Sequence, residues 1–266
     1  MPDLDPRIRD HYLSGNERDR LAAGVGRLEF LRTQELLTRV LPPPPAVVLD
    51  VGGAAGAHAA PLAAHGHEVH VIDPVPLHVE QARAVPGLAS VTLGDGRALR
   101  WPDASVDAAL LLGPLYHLTE RADRVRALAE GRRVLRPGGV LAAAAISRYA
   151  STLDGLLRGY LREPGFEAIV ERDLADGQHR NPGDVPGWFT TAFFHLPDEL
   201  LAEAADAGLH DVGVVAVEGP AWLLPDLDRW LSDDREVLLR TIRRVESTPP
   251  LLGASPHLLL TGRAKF

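Results

Sequence analysis

The sequence predicts an α/β fold in which a doubly wound, mostly parallel sheet of seven strands carries helices on both faces. Three observations point to it. Short valine-rich apolar runs recur at 46–50, 68–72, 90–93, 106–112 and 140–146, too short for buried helices and apolar enough to be covered on both sides. Helix-like stretches at 56–65, 76–85 and 119–135 separate them, the alternation that lays helices over both faces of parallel strands. Two more runs, at 210–217 and 257–262, follow a helix expected over 197–207 and complete the strand count.

The remaining segments attach to that sheet. A chain of 266 residues suits a single domain, 1–266, with one large core and elaborations. Leu21, Val25, Leu28, Leu31, Leu37, Val40 and Leu41 form a helical stripe, and the prolines at 42–45 stop it, so 1–41 reads as a helical lid. Residues 46–146 are the expected ligand-binding core. The alternation breaks at 147–196 and again at 220–254, and insertions of that length in a compact domain serve as caps over a substrate.

Composition narrows the partners. A formal net charge of -8 opposes general nucleic-acid binding, which needs a basic footprint. With no cysteine there is no disulfide, thiolate metal site or cysteine nucleophile. No run is long enough to span a bilayer, and the start Met1-Pro2-Asp3-Leu4 lacks the basic and apolar regions of a secretory signal. The expectation is a cytoplasmic protein acting on a small molecule, with neither nucleic acid nor membrane as partner. Histidines 65, 67 and 70 flank a glycine turn without a carboxylate at matching spacing, so no metal is expected.

Residues 47–56 read as a buried strand turning sharply into a helix, with small residues that let a ligand approach the backbone. A dinucleotide fingerprint fails here: counted from Gly52, its second and third glycines fall on Ala54 and Ala57, and only the last position tolerates alanine. That disfavours a nucleotide-dependent oxidoreductase. Asp50-Val51-Gly52-Gly53-Ala54-Ala55-Gly56 instead resembles the D/E-x-G-x-G-x-G motif of class I S-adenosylmethionine (SAM)-dependent methyltransferases, with a departure at Ala54, whose methyl narrows the loop. Asp73 ends the second run, 23 residues after Asp50. Gly94-Asp95-Gly96-Arg97 follows the third run, Val106-Asp107 opens the fourth, and Leu135-Arg136-Pro137-Gly138-Gly139 resembles the family's L-[KR]-P-G-G turn ahead of the fifth. Singly, Asp73 is an ordinary acid before a helix and Asp95 an ordinary Asp-Gly turn. In this order the five elements argue together.

The resemblance covers 46–146 and implies a Rossmann-like fold with SAM as cofactor. It places SAM on Asp50, Gly52, Gly53 and Gly56, the ribose hydroxyls on Asp73, and adenine on Asp95 and the backbone beside Gly96. Leu112 and Gly113, at the end of the fourth strand, would meet the methionine moiety, and Tyr12 on the N-terminal segment would fold over the cofactor.

Methyl transfer is an in-line displacement, and a base is useful when the acceptor must lose a proton. Tyr116 and His117 stand where the fourth strand delivers residues to the reacting centre, and His179 and His195 lie in the insert; these four are the candidate catalytic groups. The plain alternatives are a wall for Tyr116, a helix-start position for His117, and surface or helix-start positions for the other two. Eight of the fourteen aromatics lie between Tyr149 and Trp222, which suggests an apolar or aromatic acceptor under the cap, or else a satellite core. His11, Arg20, Arg27, Glu29 and Arg32 are placed to line the mouth, and a solvated helix face explains Arg27, Glu29 and Arg32 equally well. The function expected is methylation of a small, apolar or aromatic organic acceptor; a SAM-binding regulator or scaffold without transferase activity is the alternative.

Overall fold

The computed structural model describes residues 7, 8 and 20–265. Tyr12 and His11 lie outside them. Helix α1 (Gly24–Val40) closes with Leu41 N donating to Leu37 O at 2.9 Å, just ahead of the proline run that can donate nothing further. The core then follows as β1 (Val47–Val51), α2 (Ala59–Ala64), β2 (Glu68–Asp73), α3 (Pro76–Arg83), β3 (Ser90–Leu93), β4 (Val106–Leu111), α4 (Pro114–His117), α5 (Arg121–Val134) and β5 (Leu135–Ser147). Strands β3-β2-β1-β4-β5 pair in parallel in that order. Asp107 fastens the start of β4 to that of β1, its Oδ2 accepting from Val47 N at 2.8 Å.

Beyond β5 the chain runs through α6 (Ala150–Arg158), α7 (Phe166–Asp176), β6 (Gln178–His179), β7 (Ala192–His195), α8 (Pro197–Asp206), β8 (His210–Ala216), α9 (Leu227–Asp233), α10 (Arg235–Arg243), α11 (Pro249–Leu252) and β9 (His257–Arg263). Strand β9 lies antiparallel on β5, from Val140 opposite Arg263 to Ile146 opposite His257, and β8 pairs antiparallel with β9. The seven expected strands therefore form one sheet, β3-β2-β1-β4-β5-β9-β8. The short β6–β7 ladder is an addition. Because β9 occupies one side of Ile146, β7 pairs with Ile146 and Ser147 on the other, past the point where β4 stops. The insert thus arrives at the carboxyl end of β4. Strand β5 also begins earlier than the apolar run at 140–146: Leu135 pairs with Val106 and Val140 with Ala108, so the Pro-Gly-Gly turn loops out between two paired stretches.

Alternate residues of each strand feed two cores, one per face. Leu49, Val51, Leu111 and Leu141 pack with Leu128 of α5 and Leu200 of α8, whereas Val48, Val71 and Leu110 pack with Leu36 and Leu37 of α1. Helix α1 is therefore a covering layer of the sheet as well as an attachment. Its charged residues are not a solvated face either, since Glu29 and Arg32 are buried. Residues 220–254 pack on this helix, with Trp222, Leu227, Leu231 and Ile242 gathered around Leu28. Phe166, Tyr160 and Trp188 make a separate cluster with ring centroids 5.0–6.4 Å apart, the satellite-core alternative for these rings. No helix among the described residues is long and apolar enough to cross a membrane.

Candidate active site

Strands β1–β3 are laid to one side and β4–β5 to the other, so the carboxyl ends of β1 and β4 flank a crevice, the place where ligands bind in open α/β sheets. A cavity of about 750 Å³ opens there. Every core residue given a cofactor or catalytic role in the sequence lines it: Asp50, Gly52, Gly53 and Gly56 from β1 onward, Asp73 at the end of β2, Asp95 and Gly96 after β3, and Leu112, Gly113, Tyr116 and His117 after β4. Ile8, Arg20, Leu21 and Glu29 supply the N-terminal wall. No described residue beyond Asp123 lines it, so the segments 147–196 and 220–254 do not roof this cavity as a cap would.

The loop after β1 is anchored by Gly52 N donating to Ile72 O at 2.6 Å, and a Cβ on Gly53 would sit 2.6 Å from Asp50 Oδ2. Ala54 adopts φ +48, the left-handed conformation that glycine takes freely. The departure at this position is thus expressed in the backbone, at a cost of about 1–2 kcal/mol. The Ala54 N–H offsets it by donating to Asp73 Oδ2 at 2.9 Å.

Three carboxylates on the cavity wall have different surroundings. Asp73 is largely satisfied from within: Oδ2 receives Ala54 N, and Oδ1 receives Val75 N at 2.8 Å and His78 Nδ1 at 3.1 Å. Asp95 is clamped by Arg97, whose backbone N donates at 2.8 Å and whose NH2 donates at 2.7 Å. Burial alone would raise the Asp95 carboxyl, and the Arg97 bonds bring it below its usual range. Asp50 differs from both. It is 1 % exposed, and neither oxygen has a hydrogen-bond partner among the described residues. Burial, with Asp73 beside it, pushes it up to about 7.

A buried carboxylate without a donor, facing a cavity beside a glycine loop, fits the ammonium group that SAM carries. Asp50 would hold that end of the cofactor and Asp73 the ribose, on the one acceptor site that three bonds leave open of roughly four. Pairing with an ammonium lowers the Asp50 pKa, so binding expels a proton wherever the empty site is protonated. SAM affinity is therefore expected to climb with pH, at most about tenfold per unit, up to the Asp50 midpoint and to level off above it. Calorimetry at pH 6 in buffers of different ionisation enthalpy reads the released proton directly. A pH-independent affinity, or release unchanged in Asp50→Asn, would contradict the assignment.

His117 lines the cavity with its Nδ1 donating to Thr191 O at 3.0 Å, its ring stacked on Phe189 at 5.7 Å. His179 and His195 are elsewhere. His179 is buried on Phe194, with Nδ1 donating to Asp173 Oδ2 at 2.8 Å. His195 is wholly buried against Glu203, with Nε2 donating at 3.3 Å, and burial lowers its pKa despite that partner. Neither lines the cavity. Their place in the insert suggested access, but the insert packs them inward as polar spacers of the β6–β7 ladder. Conversely, His58 and His78 were missed. His58 lines the cavity, stacks on Phe30 at 5.4 Å and meets Gln34 Nε2 at 3.0 Å, and burial lowers it to about 4. Both follow elements already marked, His78 five residues after Asp73 and His58 two residues after Gly56, and that spacing was the available signal.

Comparison with known proteins agrees with this architecture. Residues 49–143 match the family described as a methyltransferase domain. An uncharacterized methyltransferase of Mycobacterium tuberculosis is 33% identical over 161 residues, 60% of this chain and 60% of that one. A ubiquinone biosynthesis O-methyltransferase of Methylocella silvestris is 36% identical over 106 residues, 38% of this chain and 40% of that one. The chain thus matches about 60% of the length of the mycobacterial relative. Among solved structures, a SAM-dependent methyltransferase of Thermotoga maritima, described as a possible histamine N-methyltransferase, superposes with a TM-score of 0.60 at 20% identity, covering 97% of this chain and 98% of that one. An S-adenosylmethionine dependent methyltransferase of Mesorhizobium loti gives a TM-score of 0.58 at 17% identity over 87% and 97%. Residues 49–143 thus match a methyltransferase domain, on the α/β fold that these solved structures share.

Proposed function

We propose that this chain transfers the methyl group of SAM to a small organic acceptor, with His117 as the group that takes the acceptor's proton. The observation that carries the assignment is the bond from His117 Nδ1 to the Thr191 carbonyl. A carbonyl only accepts, so the proton of the neutral ring is fixed on Nδ1 and the lone pair on Nε2. SAM, when bound, would supply a methyl carbon activated by its sulfonium, the C–S electron pair remaining on sulfur as the acceptor takes the carbon. His117 Nε2 receives the proton the acceptor sheds and returns it to solvent. Asp50, Asp73 and the glycine loop hold the donor still, and the apolar surfaces of Leu21, Leu112 and Leu118 keep water from the reacting atoms. The acceptor reaches this centre past Ile8, Arg20 and Glu29, so its wall mixes apolar and charged groups instead of the aromatic cap the sequence suggested.

Release of S-adenosylhomocysteine across phenols, indoles, quinones and amines tests the reading. With an active acceptor, His117→Gln is expected to lower kcat by roughly 10²–10⁴-fold while SAM affinity holds. Tight SAM binding without release on any acceptor would favour a SAM-binding regulator, and an unaltered kcat in His117→Gln would remove the base.

A further inference from the structure

Four charged side chains from separate segments alternate in sign from the N-terminal wall of the cavity inward: Arg20 and Glu29 on the wall, His257 and Glu218 behind it. Glu218 follows β8 and is wholly buried. Its Oε1 receives His257 Nδ1 at 2.6 Å, and its Oε2 receives Ser255 Oγ at 2.8 Å and His257 N at 3.2 Å. This corner fixes the His257 ring and commits Nδ1 as the donor. The same Nδ1 lies 3.9 Å from Glu29 Oε2, and Glu29 is held from its other side by both terminal nitrogens of Arg20. The His257 ring centroid stands 6.0 Å from that of Tyr116. Arg20, Glu29 and Tyr116 line the cavity, and His257 stands behind them.

A single buried carboxylate would suffice to satisfy one ring nitrogen, yet two converge on it from α1 and from the end of β8. Burial would discharge the ring, but Glu29 and Glu218 outweigh burial and push His257 up to about 9. In return His257 and Arg20 overcome the burial of Glu29 and hold it down to about 2. The result is a permanently charged carboxylate at the cavity wall whose orientation is set from behind.

We propose that His257 is a positioning residue for methyl transfer: braced by Glu218, its imidazolium fixes Glu29 and the Tyr116 ring where they meet the O–H or N–H of the acceptor. The proposal rests on the methyl-transfer reading above. It separates the two ends of the site, because the donor is held by groups on β1 and β2 while the acceptor end is aligned by β9, β8 and α1.

The test compares full-length wild type with His257→Asn, which keeps a donor toward Glu218 but loses the charge, and with Glu218→Gln, which keeps the Ser255 bond. With the acceptor that gives the fastest S-adenosylhomocysteine release, both variants are expected to bind SAM within about twofold of wild type and to lose roughly 10–100-fold in acceptor kcat/KM. The wild-type pH profile is expected to fall through an alkaline limb near pH 9 that His257→Asn abolishes. Acceptor kcat/KM and the alkaline limb both surviving in His257→Asn would overturn the proposal, as would equal losses of SAM affinity and turnover. A wild type that binds no SAM, or methylates nothing, sinks the methyl-transfer reading instead. Imidazole NMR then decides the geometry: a His257 midpoint near 9 that drops in Glu29→Gln supports the coupling, and an ordinary midpoint overturns it.

Discussion

Asp73→Ala is expected to weaken SAM binding by roughly 2–4 kcal/mol, a loss of about 30- to 1000-fold in affinity. The size follows from two separate duties. In the proposed complex Asp73 accepts from the ribose, and a charge-assisted bond of that kind is among the stronger ones available. In the protein itself it receives Ala54 N, which keeps the glycine loop in a left-handed turn that alanine does not favour, and Val75 N, which starts α3. Removing the carboxylate therefore strips the ribose partner and releases the loop around Asp50 together. Asp73→Asn separates the duties, since its carbonyl oxygen still accepts from one backbone N–H; it is expected to lose less. Isothermal titration of SAM against the three proteins measures both steps, and an Asp73→Ala protein with wild-type affinity would rule out the ribose role.

Glu203→Ala is expected to cost about 3–5 kcal/mol of folding stability, more than any surface substitution, because it leaves the Arg124 guanidinium buried without its counter-ion. Arg124 is 2 % exposed and donates to Glu203 from Nε at 3.0 Å and from NH2 at 2.6 Å. Its guanidinium carbon stands 3.5 Å over the Phe193 ring, and NH1 donates to Leu118 O and Thr119 O at 2.9 Å. Burial alone would raise the Glu203 carboxyl, and the bonds from His195 and Arg124 take it below its ordinary range. Since Leu118 and Thr119 line the cavity, this buried pair also holds the far wall of the site. Thermal unfolding, with a fall in Tm of roughly 2–4 °C per kcal/mol for a chain of this size, gives the measurement. The double variant Arg124→Met with Glu203→Leu is expected to recover most of the loss. Failure of that recovery would place the cost in packing and not in an orphaned charge.

What the sequence reveals and what it hides follow from the range of the forces involved. The inner strands were legible because burial on both faces demands continuous apolar runs: Val106–Leu111 lies within the run at 106–112 and is buried everywhere but at Asp107. The grouping of the proposed donor residues was legible because they sit at strand ends in a fixed order, so Asp50, Asp73, Asp95 and Gly113 all line one cavity. The acceptor side was not. Glu29, Glu218 and His257 are joined only by the packing of α1 on the sheet and the antiparallel return of β9, neither of which leaves a local pattern. The histidines of the insert misled for the complementary reason: His179 and His195 carry the right chemistry, but Asp173 and Glu203, on flanking helices, draw them inward.

The group that sets the proton on His117 is a main-chain carbonyl, and every residue type offers the same one at position 191. Replacing Thr191 therefore leaves this determinant in place, and scanning the insert by side chain passes over it. What the site depends on is the path of the chain from β6 to β7 and the seating of Phe194 and His195 beside Ile146 and Ser147. The insert can change its composition widely at constant span, whereas a one-residue deletion between Phe189 and Ala192 would withdraw the carbonyl and let the imidazole choose its own tautomer.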